Sequence, residues 1–252
     1  MDLFVKIMNK KDTITSILYF QTDDTSVYWR KPLFKTYPFL EKKYLHVSWE
    51  DRKQYLTTEL SKFYDKINKN LQSKKVIFQK IWNDKKENIN NIYSKVFNID
   101  CHNLFNNMIA EISLNPICPR DIRHQSYSVV WAGNGSDFLK TSLHEMIHFV
   151  WFYLWQHYFN DSWDEYEAPD LKWILSEMVV DTLVKNTDIG KLYHRTDEYP
   201  AYEYFYEMKI GHRFLLDELS SLYKNARNII QFMEQAYQYC RDNEQAIRAQ
   251  ML

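Results

Sequence analysis

From Phe39 to Asn115 the chain contains neither glycine nor proline. These two residues interrupt helices most readily, at about 1 and about 3 kcal/mol relative to alanine. A stretch of that length without either is most simply built from long helix. Ser48, with Asp51 three residues later, reads as its start. Tyr55, Leu60, Phe63, Tyr64 and Ile67 keep helical spacing, Val76, Ile77, Ile81 and Trp82 begin a second run, and Ile89, Ile92, Tyr93, Val96 and Phe97 extend it. The pattern predicts a helical hairpin or pair. Residues 62–97 carry nine lysines against Asp65, Asp84 and Glu87. Their spacing is that of the wet side of amphipathic helices, and no nucleic-acid-binding motif accompanies them.

The flanking segments read differently. Residues 1–47 read as an N-terminal extended segment, with β-formers at 3–8 and 14–20 and a further piece at 26–30 after the polar TDDT turn. Residues 108–114 and 126–131 (SYSVVW) read as strands, the second closed by Gly133-Asn134-Gly135. Ser136 or Asp137 then caps a long helix to about His157. A polar, acidic loop covers 160–167, and Pro169 suits the first turn of a helix continuing over 171–184. After Pro200 the chain again reads as helical, through Tyr202, Phe205, Ile210, Phe214, Leu215 and Leu219. The expected fold is α+β and predominantly helical, with a small sheet packed on the central helix. Its parts are 1–47, a helical 48–125 and a core at 126–252.

Composition narrows the class. With 17% aromatic residues and a net charge of −1, intrinsic disorder is excluded. Three widely spaced cysteines make no disulfide framework. The first 20 residues hold five charges and so lack a secretory apolar core, and no apolar run approaches the about 20 residues of a membrane span. These features predict a cytoplasmic protein acting on neither nucleic acid nor membrane.

Inside the long second-half helix stands His144-Glu145-Met146-Ile147-His148, an H-E-x-x-H pattern. Two histidines four apart project from one helical face and can reach one metal ion at about 2.0–2.1 Å. Glu145, one step round, stands beside the ion's open position, where a general base belongs. With eight histidines in the chain, chance supplies such a pattern in about 2% of shuffled sequences. The uncharged flanks Thr141, Ser142, Leu143, Met146, Ile147, Phe149 and Val150 imply burial, which histidines and a carboxylate tolerate only when compensated.

A third ligand is needed. Six residues past His148 stands Leu154, and Trp151 stands where a metzincin has glycine, so that pattern is excluded; His157 points to the opposite face. Glu177 and Asp181, four apart on the next helix and flanked by Ile174 and Val184, would repel each other without a cation. Glu177 as ligand and Asp181 as acceptor of a ligating histidine's second N–H accounts for both.

H144-E-M-I-H148 followed by E177-M-V-V-D181 resembles the active site of gluzincin zinc metallopeptidases, over about residues 126–184, and the chain's compact size resembles minimal gluzincins. The resemblance implies Zn2+ held by His144, His148 and Glu177, with Glu145 as base, Asp181 orienting, a peptide or protein substrate, and SYSVVW as the edge strand that receives it. Gluzincins usually add a tyrosine or histidine donor to the developing oxyanion. Candidates are His194, Tyr202, Tyr204, Tyr206 and His212; His212 is taken first, then Tyr204 or Tyr206. The acidic residues Asp161, Asp164, Glu165, Glu167 and Asp170 form a solvated loop, or favour basic substrates if they rim the cleft. Two other functions fit the same residues: a zinc-bearing interaction module without turnover, and a metal-free helical structural protein.

Overall fold

The computed structural model describes residues 1–21, 26–161, 166–193 and 200–251. The fold is α+β and mostly helical. Ten α-helices accompany a four-stranded mixed sheet and a two-stranded hairpin among the described residues. The chain forms two compact units that interleave along the sequence.

One unit comprises Asp2–Lys85 and Phe105–Ser142. Strands β1 (Leu3–Ile7), β2 (Met108–Ser113) and β4 (Ser126–Val130) run parallel, and the two-residue β3 (Arg120–Asp121) lies antiparallel to β4. The sheet order is β1-β2-β4-β3. The strand SYSVV is therefore not the sheet edge, because Arg120 pairs with Tyr127 and the Ser128 N–H donates to the Pro119 carbonyl at 2.9 Å. At the other edge, Gln79 takes the place of a strand: its Oε1 accepts from the Val5 N–H at 2.8 Å and its Nε2 donates to the Leu3 carbonyl at 2.9 Å.

The N-terminal segment is extended only over β1. Helices α1 (Lys10–Tyr19), α2 (Ser26–Thr36) and α3 (Pro38–Tyr44) follow, so the β-formers at 14–20 and the piece at 26–30 belong to helices. Asn9 caps α1, its Oδ1 accepting from the Asp12 N–H at 2.9 Å, and Pro38 occupies the first turn of α3. Ile14, Ile17, Leu33, Tyr37, Leu40 and Tyr44 then close one apolar cluster with Leu56, Leu60 and Leu114. Burial against that cluster outweighs the modest helix penalty of β-branched side chains. The TDDT turn lies outside the described residues.

Helix α4 (Trp49–Phe97) is one continuous helix rather than a pair. Ser48 does cap it, accepting from the Asp51 N–H at 3.3 Å. Its buried stripe is Leu56, Leu60, Leu71, Phe78, Trp82, Ile89, Tyr93 and Phe97, while Val76 and Ile77 are 70% and 52% exposed. Six of the nine lysines, among them Lys62, Lys69 and Lys80, are exposed, as a solvated face requires.

The other unit comprises Met1, Lys86–Leu104 and Leu143–Leu252. Its axis is α6 (Leu171–Asn186), with every residue from Leu171 to Leu183 buried except Trp173. Around it pack α7 (Ile189–Leu192), α8 (Leu215–Asn225) and α9 (Ile229–Asp242), followed by α10 (Glu244–Arg248). Helix α5 (Gly135–Phe159) enters this unit at Leu143, and Trp151 meets Phe232 edge-on at 5.9 Å. Asn134 rather than Ser136 or Asp137 begins α5: its Oδ1 accepts from the N–H groups of Ser136 and Asp137, and Asp137 Oδ2 accepts from the Asn134 N–H at 2.8 Å. Pro169 precedes α6 instead of entering its first turn, since Asp170 is the N-cap.

Residues 200–214 are not helical throughout. A 3₁₀ turn (Glu203–Tyr206) leads to the hairpin β5 (Lys209–Ile210) and β6 (Arg213–Phe214), reversed at Gly211 with φ +61°. That backbone region suits glycine at the first position of a two-residue turn.

Candidate metal centre

Helices α5 and α6 bring His144, His148 and Glu177 together. The two Nε2 atoms lie 2.9 Å apart, and Glu177 Oε2 lies 3.5 Å from His144 Nε2 and 3.6 Å from His148 Nε2. Three ligands in a tetrahedral zinc site stand about 3.3–3.4 Å apart, for bonds of about 2.0–2.1 Å. The point equidistant from these three atoms lies about 1.9 Å from each. The donor set therefore fits a small divalent cation in chemistry and in size.

Burial makes the arrangement demanding. The side chains of His148 and Glu177 are 0% and 3% exposed, whereas His144 reaches solvent at 24%. His148 is locked in a ring stack, 6.4 Å from Phe152, which itself lies 4.2 Å from Tyr166. Tyr93 Oη donates to the Leu143 carbonyl at 2.6 Å and so fixes α5 one residue before His144. Glu145 is 4% exposed. Enclosing two imidazoles and two carboxylates in one helix pair costs several kcal/mol unless charge compensates charge.

Asp181 is fully buried, and among the described residues no hydrogen bond joins it to a histidine ring. Tyr206 Oη donates to its Oδ1 at 2.5 Å, and Lys185 Nζ lies 2.9 Å from its Oδ2. The Lys185 ammonium also sits 5.0 Å above the Tyr206 ring. The i,i+4 spacing of Asp181 and Lys185 thus does what such spacing ordinarily does on a helix. Asp181 tethers the 3₁₀ turn to α6, and the expected orienting role is replaced by this one.

The expected oxyanion donors are also redistributed. His212 is exposed at the tip of the β5–β6 turn, and no described contact joins it to the cluster. Tyr206 is engaged with Asp181. Tyr202 and Tyr204 stack on each other, 5.5 Å apart, beside Trp173. His194 lies outside the described residues, as do Asp164 and Glu165 of the acidic stretch. Asp161 pairs with Lys172 at 2.6 Å.

Tyr193 is a further tyrosine whose electrostatic neighbour is Glu145. It caps α7 at its C-terminal end. Its hydroxyl is enclosed with no hydrogen-bond partner among the described residues. Burial raises its pKa, and the neighbouring Glu145 carboxylate raises it further, so the phenol stays protonated. The corner before it is tight: a Cβ on Gly190 would clash with the Val184 carbonyl oxygen. Sequence spacing gives no hint of Tyr193, because a short helix and a corner separate it from α6.

No family model, no curated protein and no solved structure matches this chain. Among the described residues, no helix is long and apolar enough to cross a membrane.

Proposed function

We propose that the protein is a zinc-dependent peptidase of gluzincin type. The observation that carries this reading is the convergence of His144 Nε2, His148 Nε2 and Glu177 Oε2 at zinc-ligand spacing, beside the enclosed carboxylate of Glu145. The resemblance of H144-E-M-I-H148 and E177-M-V-V-D181 to gluzincins supports it. The cation, when bound, supplies Lewis acidity, which makes water more acidic and a peptide carbonyl more electrophilic. Glu145 takes the proton released as water attacks and returns it to the leaving amine. Tyr193 donates its enclosed O–H to the oxygen that gains charge, an interaction worth most where water is excluded. His144, at the solvent-reaching side of the cluster, marks where substrate arrives. Three cysteines spaced as widely as Cys101, Cys118 and Cys240 fit a reducing, cytoplasmic setting.

Elemental analysis of the purified protein tests the metal, with about one zinc per chain expected. Glu145→Gln should keep the zinc and lose cleavage of a denatured-protein or peptide library, and o-phenanthroline should abolish cleavage by the parent. A zinc-free protein, or undiminished turnover in Glu145→Gln, overturns the reading.

A further inference from the structure

Helix α4 turns one line of its surface directly away from its buried stripe. At about 100° per residue, Lys62, Lys66, Lys69, Ser73 and Lys80 fall within about 60° of one another, on the side opposite Leu60, Leu71, Phe78 and Trp82. All five are exposed. At about 1.5 Å per residue the line runs about 27 Å. Val76 and Ile77 stand on its two borders, 70% and 52% exposed. A single exposed aliphatic side chain is ordinary. Two adjacent ones, with Lys69, Ser73 and Lys80 between them around the helix, make apolar tips framed by ammonium groups.

The charge along this line is of one sign. Asp65, the single acidic residue between Lys62 and Lys80, is engaged by Lys10 at 2.8 Å, and Lys62 pairs with Glu59 at 2.7 Å. Lys66, Lys69 and Lys80 join no ion pair among the described residues. Ser73 stands at the middle of the line, its hydroxyl donating to the Lys69 carbonyl at 3.1 Å. The lysine spacing alone predicts a solvated face. The placement of Val76 and Ile77 beside the lysines, rather than in the core, is what the structure adds.

We propose that this face of α4 docks on an anionic phospholipid surface, Lys66, Lys69 and Lys80 meeting the headgroup charges while Val76 and Ile77 enter the headgroup layer. Each lysine brought to such a surface strengthens partition about fivefold, and the interface accepts apolar tips that water does not reward. A nucleic-acid surface draws on arginine forks and stacking rings as well as charge; the line carries neither. The attachment is peripheral, and among the described residues no helix is long and apolar enough to cross a membrane. It does not depend on the metal cluster or on the peptidase reading.

Co-sedimentation of the full chain with vesicles tests the proposal, using phosphatidylcholine alone or with about 30 mol% phosphatidylserine. At about 0.1 M salt, where charges about 10 Å apart still interact, partition onto the phosphatidylserine vesicles should be about 100-fold stronger, and about 0.5 M salt should remove most of that preference. The triple change Lys66→Gln, Lys69→Gln and Lys80→Gln should bring the ratio to within about threefold of unity, and Ser73→Glu should lower it about fivefold. Val76→Ser with Ile77→Ser should weaken binding to the phosphatidylserine vesicles about five- to tenfold. All these positions are exposed, so melting temperatures should stay at that of the parent. Equal retention of the parent on both vesicles, a ratio that neither the glutamine triple nor Ser73→Glu moves, or binding that the serine pair leaves unchanged overturns the proposal. Tighter binding of the parent to duplex DNA than to the vesicles at the same salt assigns the line to nucleic acid and overturns it as well.

Discussion

Replacing Glu177 by glutamine keeps the volume of a side chain that is 3% exposed and removes only its charge. If the carboxylate is a ligand, that charge is what holds the cation. Zinc sites with about four protein ligands are worth about 10–16 kcal/mol, or about 3–4 kcal/mol per ligand, so Glu177→Gln should weaken zinc binding about 100- to 1,000-fold. Thermal melting reads the same quantity independently. At free zinc of about 1,000 times the dissociation constant, binding stabilises the folded parent by about 4 kcal/mol. For a chain of 252 residues, with about 2–4 °C per kcal/mol, that is a rise of about 8–16 °C. The variant at the same zinc concentration keeps about 0.4–1.4 kcal/mol, and its rise shrinks to about 1–6 °C. Without metal the order should not favour the parent, because the neutral amide no longer brings a buried charge to the imidazoles. Competition against a chromophoric zinc chelator gives the affinity, and paired melts with and without zinc give the stabilities. Zinc affinity within about threefold of the parent would refute Glu177 as third ligand. A large loss of metal-free stability would instead mean that the variant had disturbed the helix.

Tyr206→Phe removes a hydrogen bond to a buried carboxylate, worth about 1.5–3 kcal/mol, and should lower the melting temperature by about 3–12 °C while zinc stoichiometry stays at that of the parent. Unaltered stability would show that Asp181 is held some other way. Tyr193→Phe deletes a hydroxyl with no hydrogen-bond partner among the described residues, so stability should change by less than about 0.5 kcal/mol or rise, while kcat falls about 10- to 1,000-fold with little change in KM. A KM effect alone would place Tyr193 in binding instead. Burial pushes the thiols of Cys101 and Cys240 up to about 11 and about 12, respectively, which keeps them protonated well above pH 8. At pH 8, Ellman's reagent should therefore titrate Cys118 first and reach the other two only on denaturation; three fast thiols would contradict the enclosed placement of both.

The helical character of the chain was legible because it is a property of composition and spacing, but two misplacements have specific physical causes. Counting Val76 and Ile77 as core on α4 shifts the phase of the apolar stripe and manufactures a break. Both face water, and the true stripe passes through Leu71, Phe78 and Trp82 without interruption. Scattered exposed aliphatic residues are ordinary on protein surfaces, so apolarity alone does not fix phase. Over residues 14–20, β-branched content suggested strand, yet Asn9 with Asp12 already spells a helix cap, and Ile14 and Ile17 keep helical spacing. There the cap and the spacing carry more information than propensity, since propensity differences are a few tenths of a kcal/mol per residue and burial is worth several times that.

Within the site, legibility follows the distance along the chain over which geometry is fixed. His144, Glu145 and His148 lie within two turns of one helix, so 3.6 residues per turn suffices to place them. Glu177 belongs to a second helix, and its pairing with the histidines required an argument about charge: an acid on an all-buried helix needs compensation. The same argument misassigned Asp181, because it identified a demand for a partner without saying which. Lys185, one turn on, and Tyr206 meet that demand locally. Tyr193, proposed above as a donor, depends on a corner closed by Gly190 against the Val184 carbonyl, a close approach that no periodicity encodes. Ligands held on one regular helix are therefore the part of such a site that sequence discloses. The groups that would act on the charge developing in the reaction sit on irregular backbone, where only the folded arrangement identifies them.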